Sequence, residues 1–154
     1  MGAWREPDGV RIGECHFPWG TAEDVVAGEI GFIRALDLSE VRAGYRAVTG
    51  TVPVGAIEVR AFFQFLDDGL VSCDLRFPYG VFPLVRRHFL EAFGRPSLEE
   101  PQRLFWKGRA TSILLGRPRP AEAEACAAFY CRSEEVRYLL EGPGDVAPTQ
   151  EPGR

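Results

Sequence analysis

The chain has 154 residues, of which 45% are hydrophobic and 26% are charged, and its formal net charge is −4. This length suits one domain with its own core, and the acidic balance argues against nucleic acid as a partner, because phosphate binding requires a clustered basic surface. The chain has no run of about 18 apolar residues, and its N-terminus lacks an apolar segment. The sequence therefore predicts a cytoplasmic protein with neither a membrane span nor a secretory signal.

The N-terminal part predicts a short strand followed by a helix. Residues 10–17 (VRIGECHF) are the expected strand, and the helix is expected over about 21–30. Thr21 is the expected N-cap because Asp24 follows three residues later, as in a capping box. Trp19 is predicted to pack against the first turns of this helix, as in a hydrophobic staple. Residues 32–43 are ambiguous, and they are expected to contain a further helical turn around 38–41 (LSEV).

The middle of the chain gives the clearest strand pattern. After an expected strand at 44–52, apolar residues alternate with polar ones in 57–66 (IEVRAFFQFL) and 70–77 (LVSCDLRF), as in half-buried antiparallel strands. A three-residue loop with Gly69 in the left-handed conformation is predicted, and it would pair Phe65 with Val71 and Phe63 with Cys73.

The second half predicts a helix, a hairpin, one more strand and a last helix. Pro83 and Gly94 bracket a helix over about 83–93. Residues 103–107 and 110–115 are expected to form a hairpin, and 125–132 a sixth strand. A helix is predicted over 133–141, and 142–154 has the composition of a flexible tail.

These elements predict one α+β domain over residues 1–141. The expected order is α-βββ-α-βββ-α, a helix followed by three strands used twice, with a last helix. We expect a mostly antiparallel sheet of about six strands, with the helices packed on one face.

The sequence contains no convincing catalytic or metal-binding pattern. Cys15 and His16 are adjacent, so in a strand they point to opposite sides and do not form a nucleophile pair. His88 lies at the edge of an apolar helix stripe, where a packed histidine is the simpler interpretation. The cysteine and histidine spacing matches no zinc motif, and phosphate-loop and hydrolase motifs are missing. We therefore predict no enzymatic activity, no cofactor and no metal.

Aromatic residues among charges give the best candidate for a binding surface. Phe62 falls on the polar side of its strand, and an aromatic residue on an open sheet face is typical of an interface. A face covered by the rest of the protein, or by a second subunit, is the alternative explanation. The predicted partner-binding residues are the polar-face group Arg60, Phe62, Gln64, Asp74 and Arg76, together with Tyr79 and Phe82 at the next junction.

Several short segments follow one another in an order that also occurs in other proteins. They are Trp19-Gly20-Thr21 before an acidic helix, the Asp67-Asp68-Gly69 turn, Phe93-Gly94-Arg95-Pro96, Trp106, and TSILL at 111–115. Over about residues 17–132 this order resembles small uncharacterised bacterial α+β domains, which are similar to the beta-lactamase inhibitory protein-like fold. That resemblance implies a protein that binds other proteins. In topology, size and charge the chain also resembles class I type III secretion chaperones.

The sequence thus favours a non-catalytic domain that binds another protein, such as an inhibitor or a toxin-immunity protein. A chaperone-like homodimer that holds an effector segment is the first alternative. A small-molecule binder or enzyme that uses a pocket between sheet and helices is the second.

Overall fold

The computed structural model describes residues 2–116 and 124–131. This part of the chain contains two α-helices, α1 (Glu23–Glu29) and α2 (Phe82–Phe93). It also contains ten strands, which are β1 (Gly9–Ile12), β2 (Cys15–Pro18), β3 (Gly31–Asp37), β4 (Tyr45–Val54), β5 (Ile57–Leu66), β6 (Gly69–Pro78), β7 (Leu98–Glu100), β8 (Arg103–Trp106), β9 (Thr111–Gly116) and β10 (Glu124–Cys131).

Eight of these strands form one sheet, in the order β3-β4-β5-β6-β10-β9-β8-β7, while β1 and β2 pair separately. Every neighbouring pair is antiparallel. Two meanders of four consecutive strands, β3–β6 and β7–β10, therefore meet where β6 pairs with β10. Each meander follows a helix, so the unit that occurs twice is one helix and four strands.

The prediction of a mostly antiparallel sheet with helices is confirmed, but the expected number of about six strands is wrong. The additional sheet strands are β3 and β7, which are the two edges of the sheet. Their residues are almost all exposed, so they show no alternation of apolar and polar residues. The segment predicted as one strand at 10–17 is instead the β1–β2 hairpin. In the ambiguous segment 32–43, the first residues belong to β3, and a single turn follows where one was expected, with the Val41 and Arg42 N–H groups donating to the Leu38 carbonyl at 2.9 and 3.2 Å.

The first helix begins two residues later than predicted. Ala22 is the N-cap, and no side chain caps the helix. The Thr21 hydroxyl instead donates a hydrogen bond of 2.6 Å to the carbonyl of Pro18. The predicted capping box is therefore wrong, because the hydroxyl faces the preceding turn instead of the helix.

The β5–β6 hairpin has the predicted register at its centre but a different turn. Phe63 pairs with Cys73 as expected, whereas Phe65 pairs with Leu70 across an irregularity in the ladder. The loop consists of Asp67 and Asp68, with φ angles of 50° and 72°. Aspartate tolerates the left-handed region, so a two-residue turn forms, and the extra residue of a bulge restores the register.

The larger of two hydrophobic clusters, the core, lies on the face of the sheet that carries both helices, called here the helix face. It combines Val26 of α1, the buried side of α2, the β1–β2 hairpin and the odd-numbered residues of β5. Phe17 of β2 packs edge-on against Phe63 at 5.6 Å. At the other end of the core, the ring centroids of Trp106 and Phe89 are 6.2 Å apart. The Trp106 indole N–H donates to the Gly94 carbonyl at 3.0 Å.

The stretch around Trp19 ties the N-terminal hairpin to the sheet. The Trp19 indole N–H donates to the Thr111 hydroxyl at 2.8 Å. The Gly20 N–H donates to the Leu70 carbonyl at 2.9 Å, and the Leu70 N–H donates to the Thr21 carbonyl at 3.0 Å. Trp19 is partly buried and packs against the core, so the packed indole is confirmed, whereas the staple onto the first turns of α1 stays a prediction.

The later predictions agree well with the structure. Helix α2 contains Pro83 in its first turn and ends at Gly94, whose φ is 83°. The hairpin predicted at 103–115 is β8–β9, and the sixth predicted strand is β10. The helix predicted at 133–141 and the tail at 142–154 lie outside the described residues. Neither helix of the described chain is long and apolar enough to cross a membrane.

Candidate functional site

The site lies on the face of the sheet opposite the two helices, called here the outer face. Side chains alternate between the faces of a strand, so the buried odd-numbered residues of β5 leave its even-numbered ones on the outer face. The ladder then sets Arg34, Thr49, Phe62 and Asp74 side by side on β3, β4, β5 and β6. Four strands therefore contribute to one surface.

A concave region crosses these four strands. The outer pocket, as we call it, has a volume of about 460 Å³. Its charged and aromatic lining consists of Arg34, Arg60, Phe62, Asp74, Arg76 and Glu124. Sequence reasoning had selected four of these residues, Arg60, Phe62, Asp74 and Arg76, and the structure brings all four together.

The charges of the outer pocket are only partly paired with one another. Arg60 forms an ion pair with Glu124, across the intervening strand β6. In Arg76 the Nε and one terminal nitrogen, Nη2, are buried without a hydrogen-bond partner. Asp74 is 3% exposed, and Arg34 is exposed. Three guanidinium groups therefore face two carboxylates, and this excess of one positive charge favours an acidic group of a partner.

Three predicted residues lie away from the outer pocket. Gln64 is buried and accepts a hydrogen bond from the Ser72 hydroxyl. Tyr79 and Phe82 stack on each other, with ring centroids 5.4 Å apart. Phe82 belongs to the core on the helix face, so this aromatic pair forms no common surface with Phe62.

Sequence reasoning missed two charged residues of the pocket. Arg34 lies in β3, in a segment whose structure the sequence left ambiguous, and Glu124 begins β10. The apolar run Phe32-Ile33 followed by Ala35-Leu36, bounded by Gly31 and Asp37, was the available strand signal. Nothing local in the sequence indicates that Glu124 lies beside Arg60, because 64 residues separate them.

The Cys–His neighbours do not form a nucleophile pair. His16 Nε2 lies 2.5 Å from Asp8 Oδ1 at the surface, and this hydrogen bond lowers the pKa of Asp8. Burial, reinforced by Glu29 and Glu14, raises the pKa of the partly buried Cys15. Burial also raises the pKa of Cys73. Both shifts disfavour the reactive thiolate form.

Elsewhere in the described ranges, chemistry-bearing groups are dispersed. His88 packs against Phe89 with ring centroids 6.4 Å apart. Among residues 2–116 and 124–131, no group of three or more His, Cys, Asp and Glu residues could hold a metal ion. The outer pocket is therefore the strongest candidate site in this part of the protein.

Comparison of the chain with family models, with curated proteins and with solved structures found no match.

Proposed function

We propose that this protein is a non-catalytic domain that binds another protein through the outer pocket. One observation carries the proposal: the pocket joins the exposed edge strand β3 to the partly buried Phe62 and to an excess of positive charge. An aromatic residue and arginines around a depression are the residue types that dominate binding energy in protein interfaces. An inhibitor or toxin-immunity protein, which acts by masking its partner, is the form of this function that we favour.

The outer pocket supports this function in two steps. Phe62 lies on β5, the middle one of the five strands that line the pocket, so a partner side chain seated on it would remove apolar surface of both proteins from water. Around it, the positive excess attracts an acidic group, and the exposed Arg34 can fix its position, since a guanidinium binds a carboxylate through two parallel hydrogen bonds. An acidic side chain or a chain terminus of the partner would provide that group.

The test is affinity capture from the native cell lysate with three forms of the full chain. The double variant Arg34→Gln/Phe62→Thr removes a charge and the aromatic ring from the outer pocket. Arg87→Gln is the control, because Arg87 is an exposed residue of α2, on the opposite face. We expect quantitative mass spectrometry to find a protein that wild type and Arg87→Gln retain and that the double variant loses. Equal recovery by all three forms, or no specific protein, would refute the proposal.

Two further measurements separate the alternatives. Light scattering of the purified chain tests the chaperone-like homodimer, and a strict monomer removes it. The second alternative is a small-molecule binder or enzyme with a pocket between sheet and helices; the outer pocket lies on the opposite face, but its volume of about 460 Å³ is also in the range of ligand sites. Native mass spectrometry of the purified protein tests that alternative, since a retained small molecule adds a defined mass.

A further inference from the structure

Strand β3 is an open edge of the sheet. Within the described residues its only strand neighbour is β4, and six of its seven residues are exposed. Phe32 is 49% and Ile33 is 61% exposed, although both are large apolar side chains. Natural proteins normally protect a sheet edge of this length with charges or a covering segment, so an exposed apolar edge indicates a binding surface.

The backbone of β3 has hydrogen-bonding groups that point away from the sheet. The Leu38 N–H donates to the Tyr45 carbonyl of β4 at 3.0 Å. Hydrogen bonding alternates along an antiparallel pair, so Leu36 and Arg34 also face β4. The N–H and carbonyl groups of Ala35 and Asp37 consequently point outward, where an added strand can bond to them.

A pocket lies on each side of this edge. The outer pocket includes Ile33 and Arg34. On the helix face, a second pocket of about 490 Å³ is lined by Glu23, Asp24, Phe32, Ala35 and Asp68 among others; we call it the helix-side pocket. Because strand side chains alternate between faces, a strand paired with β3 would direct its side chains toward the two pockets in turn.

The two pockets have opposite charge. Arg34 and Arg76 give the outer pocket its positive excess. The helix-side pocket contains only acidic charges among its described lining residues, and of these Glu23 is paired with Arg46 at 2.7 Å. Asp24 and Asp68 supply the remaining negative charges of this pocket. A complementary strand therefore has acidic side chains on its outer side and basic side chains on its helix side.

A second copy of this chain is a poor occupant of the edge. In a symmetric antiparallel pairing, the copy's Arg34 would lie on the outer face beside the arginine-rich pocket. The copy's Asp37, which lies opposite Arg46 of β4 in the ladder and on the helix face, would approach the acidic helix-side pocket. Like charges in neighbouring cross-strand positions are destabilising, so the charge pattern favours a different protein.

We infer that the partner adds an extended segment to β3 as a further strand, with acidic residues over the outer pocket and basic residues over the helix-side pocket. This inference rests on the proposed protein-binding function and specifies the chemistry of the partner segment. Main-chain hydrogen bonds supply affinity in this binding mode, and the alternating side chains supply specificity.

The test uses random peptides of about ten residues, long enough to form one strand, displayed on phage and selected on the full chain. We expect the enriched peptides to alternate acidic and basic residues with period two. Ala35→Pro removes an outward N–H without touching the bonds to β4. It should weaken the best peptide about tenfold or more, whereas Arg87→Gln, at an exposed position of α2 that lines neither pocket, should bind like wild type.

A second measurement covers the case in which Ala35→Pro fails to fold. Amide hydrogen exchange of the wild-type chain should slow at Ala35 and Asp37 when the best peptide binds. Enriched peptides without alternation, unchanged exchange in β3, or no enriched peptide would overturn the inference.

The two proposals fail separately. If the captured protein still binds Ala35→Pro but no longer binds Arg34→Gln/Phe62→Thr, the protein-binding function stands and strand addition is overturned. If neither a protein nor a peptide binds, both proposals are wrong.

Discussion

Replacing Trp19 by alanine should destabilise the fold strongly, because this side chain joins the N-terminal hairpin to strand β9. An enclosed tryptophan buries roughly 150–250 Å². At about 25 cal/mol per Å², the covered part of the indole accounts for about 3 kcal/mol of the free energy of unfolding. Trp19 is also the hydrogen-bond donor to the Thr111 hydroxyl, and Thr111 is fully buried. Leaving that hydroxyl without its partner costs about 1–3 kcal/mol.

We therefore expect Trp19→Ala to lose about 3–5 kcal/mol, and Trp19→Phe, which keeps most of the apolar area, to lose about 1–2 kcal/mol. Urea denaturation followed by far-ultraviolet circular dichroism measures both losses without depending on the fluorescence of the removed indole. Thr111→Val completes a double-mutant cycle with Trp19→Phe, and the expected coupling energy is about 1 kcal/mol. A Trp19→Ala protein as stable as wild type, or strictly additive effects in the cycle, would refute this reasoning.

Three further predictions concern other contacts of the fold. Burial raises the pKa of Glu6, but hydrogen bonds from backbone N–H groups at 109–111 and the Arg109 charge lower it overall. The protein should therefore lose stability in thermal melts as the pH drops below 4.5, the ordinary pKa of a glutamate. This loss should be less steep in Glu6→Gln. Trp106→Phe should cost about 2–4 kcal/mol in urea denaturation, because the Gly94 carbonyl loses its donor and a void remains. Glu23→Gln breaks the ion pair with Arg46 and should cost about 0.5 kcal/mol at low salt, a loss that about 1 M salt should remove.

Alternation along the chain was enough to predict the centre of the sheet. Strands β5 and β6 each have one buried side, so their apolar residues recur at every second position and even the pairing of Phe63 with Cys73 could be derived. Helix α2 could be predicted for the corresponding reason, since a proline in its first turn and Gly94 after its end mark its limits. These signals are local, and a single sequence contains them.

The edges of the sheet left no such pattern. In β3 and β7 neither side is buried, so apolar and polar residues do not alternate, and both strands were missed. The loop at Asp67 and Asp68 was assigned the wrong length because aspartate and glycine both tolerate a positive φ. The bulge that compensates for this turn has no sequence signal of its own.

Four of the six charged and aromatic residues of the outer pocket could be predicted from the same alternation. Arg60, Phe62, Asp74 and Arg76 share a face because they lie at even positions of paired strands. Arg34 was missed with its strand. Glu124 could not be placed, because its neighbour Arg60 is distant in sequence and their contact depends on the order of β5, β6 and β10 in the sheet.

The central claim, that the outer pocket is the docking site for another protein, is tested most directly by one dissociation constant. The protein recovered by affinity capture should be purified and titrated calorimetrically into the wild-type chain, Arg34→Gln/Phe62→Thr and Arg87→Gln. The account predicts that the double variant binds at least about a hundredfold more weakly, since loss of an aromatic and a charged contact costs about 3 kcal/mol, and that Arg87→Gln binds like wild type. Equal dissociation constants for all three forms would contradict it.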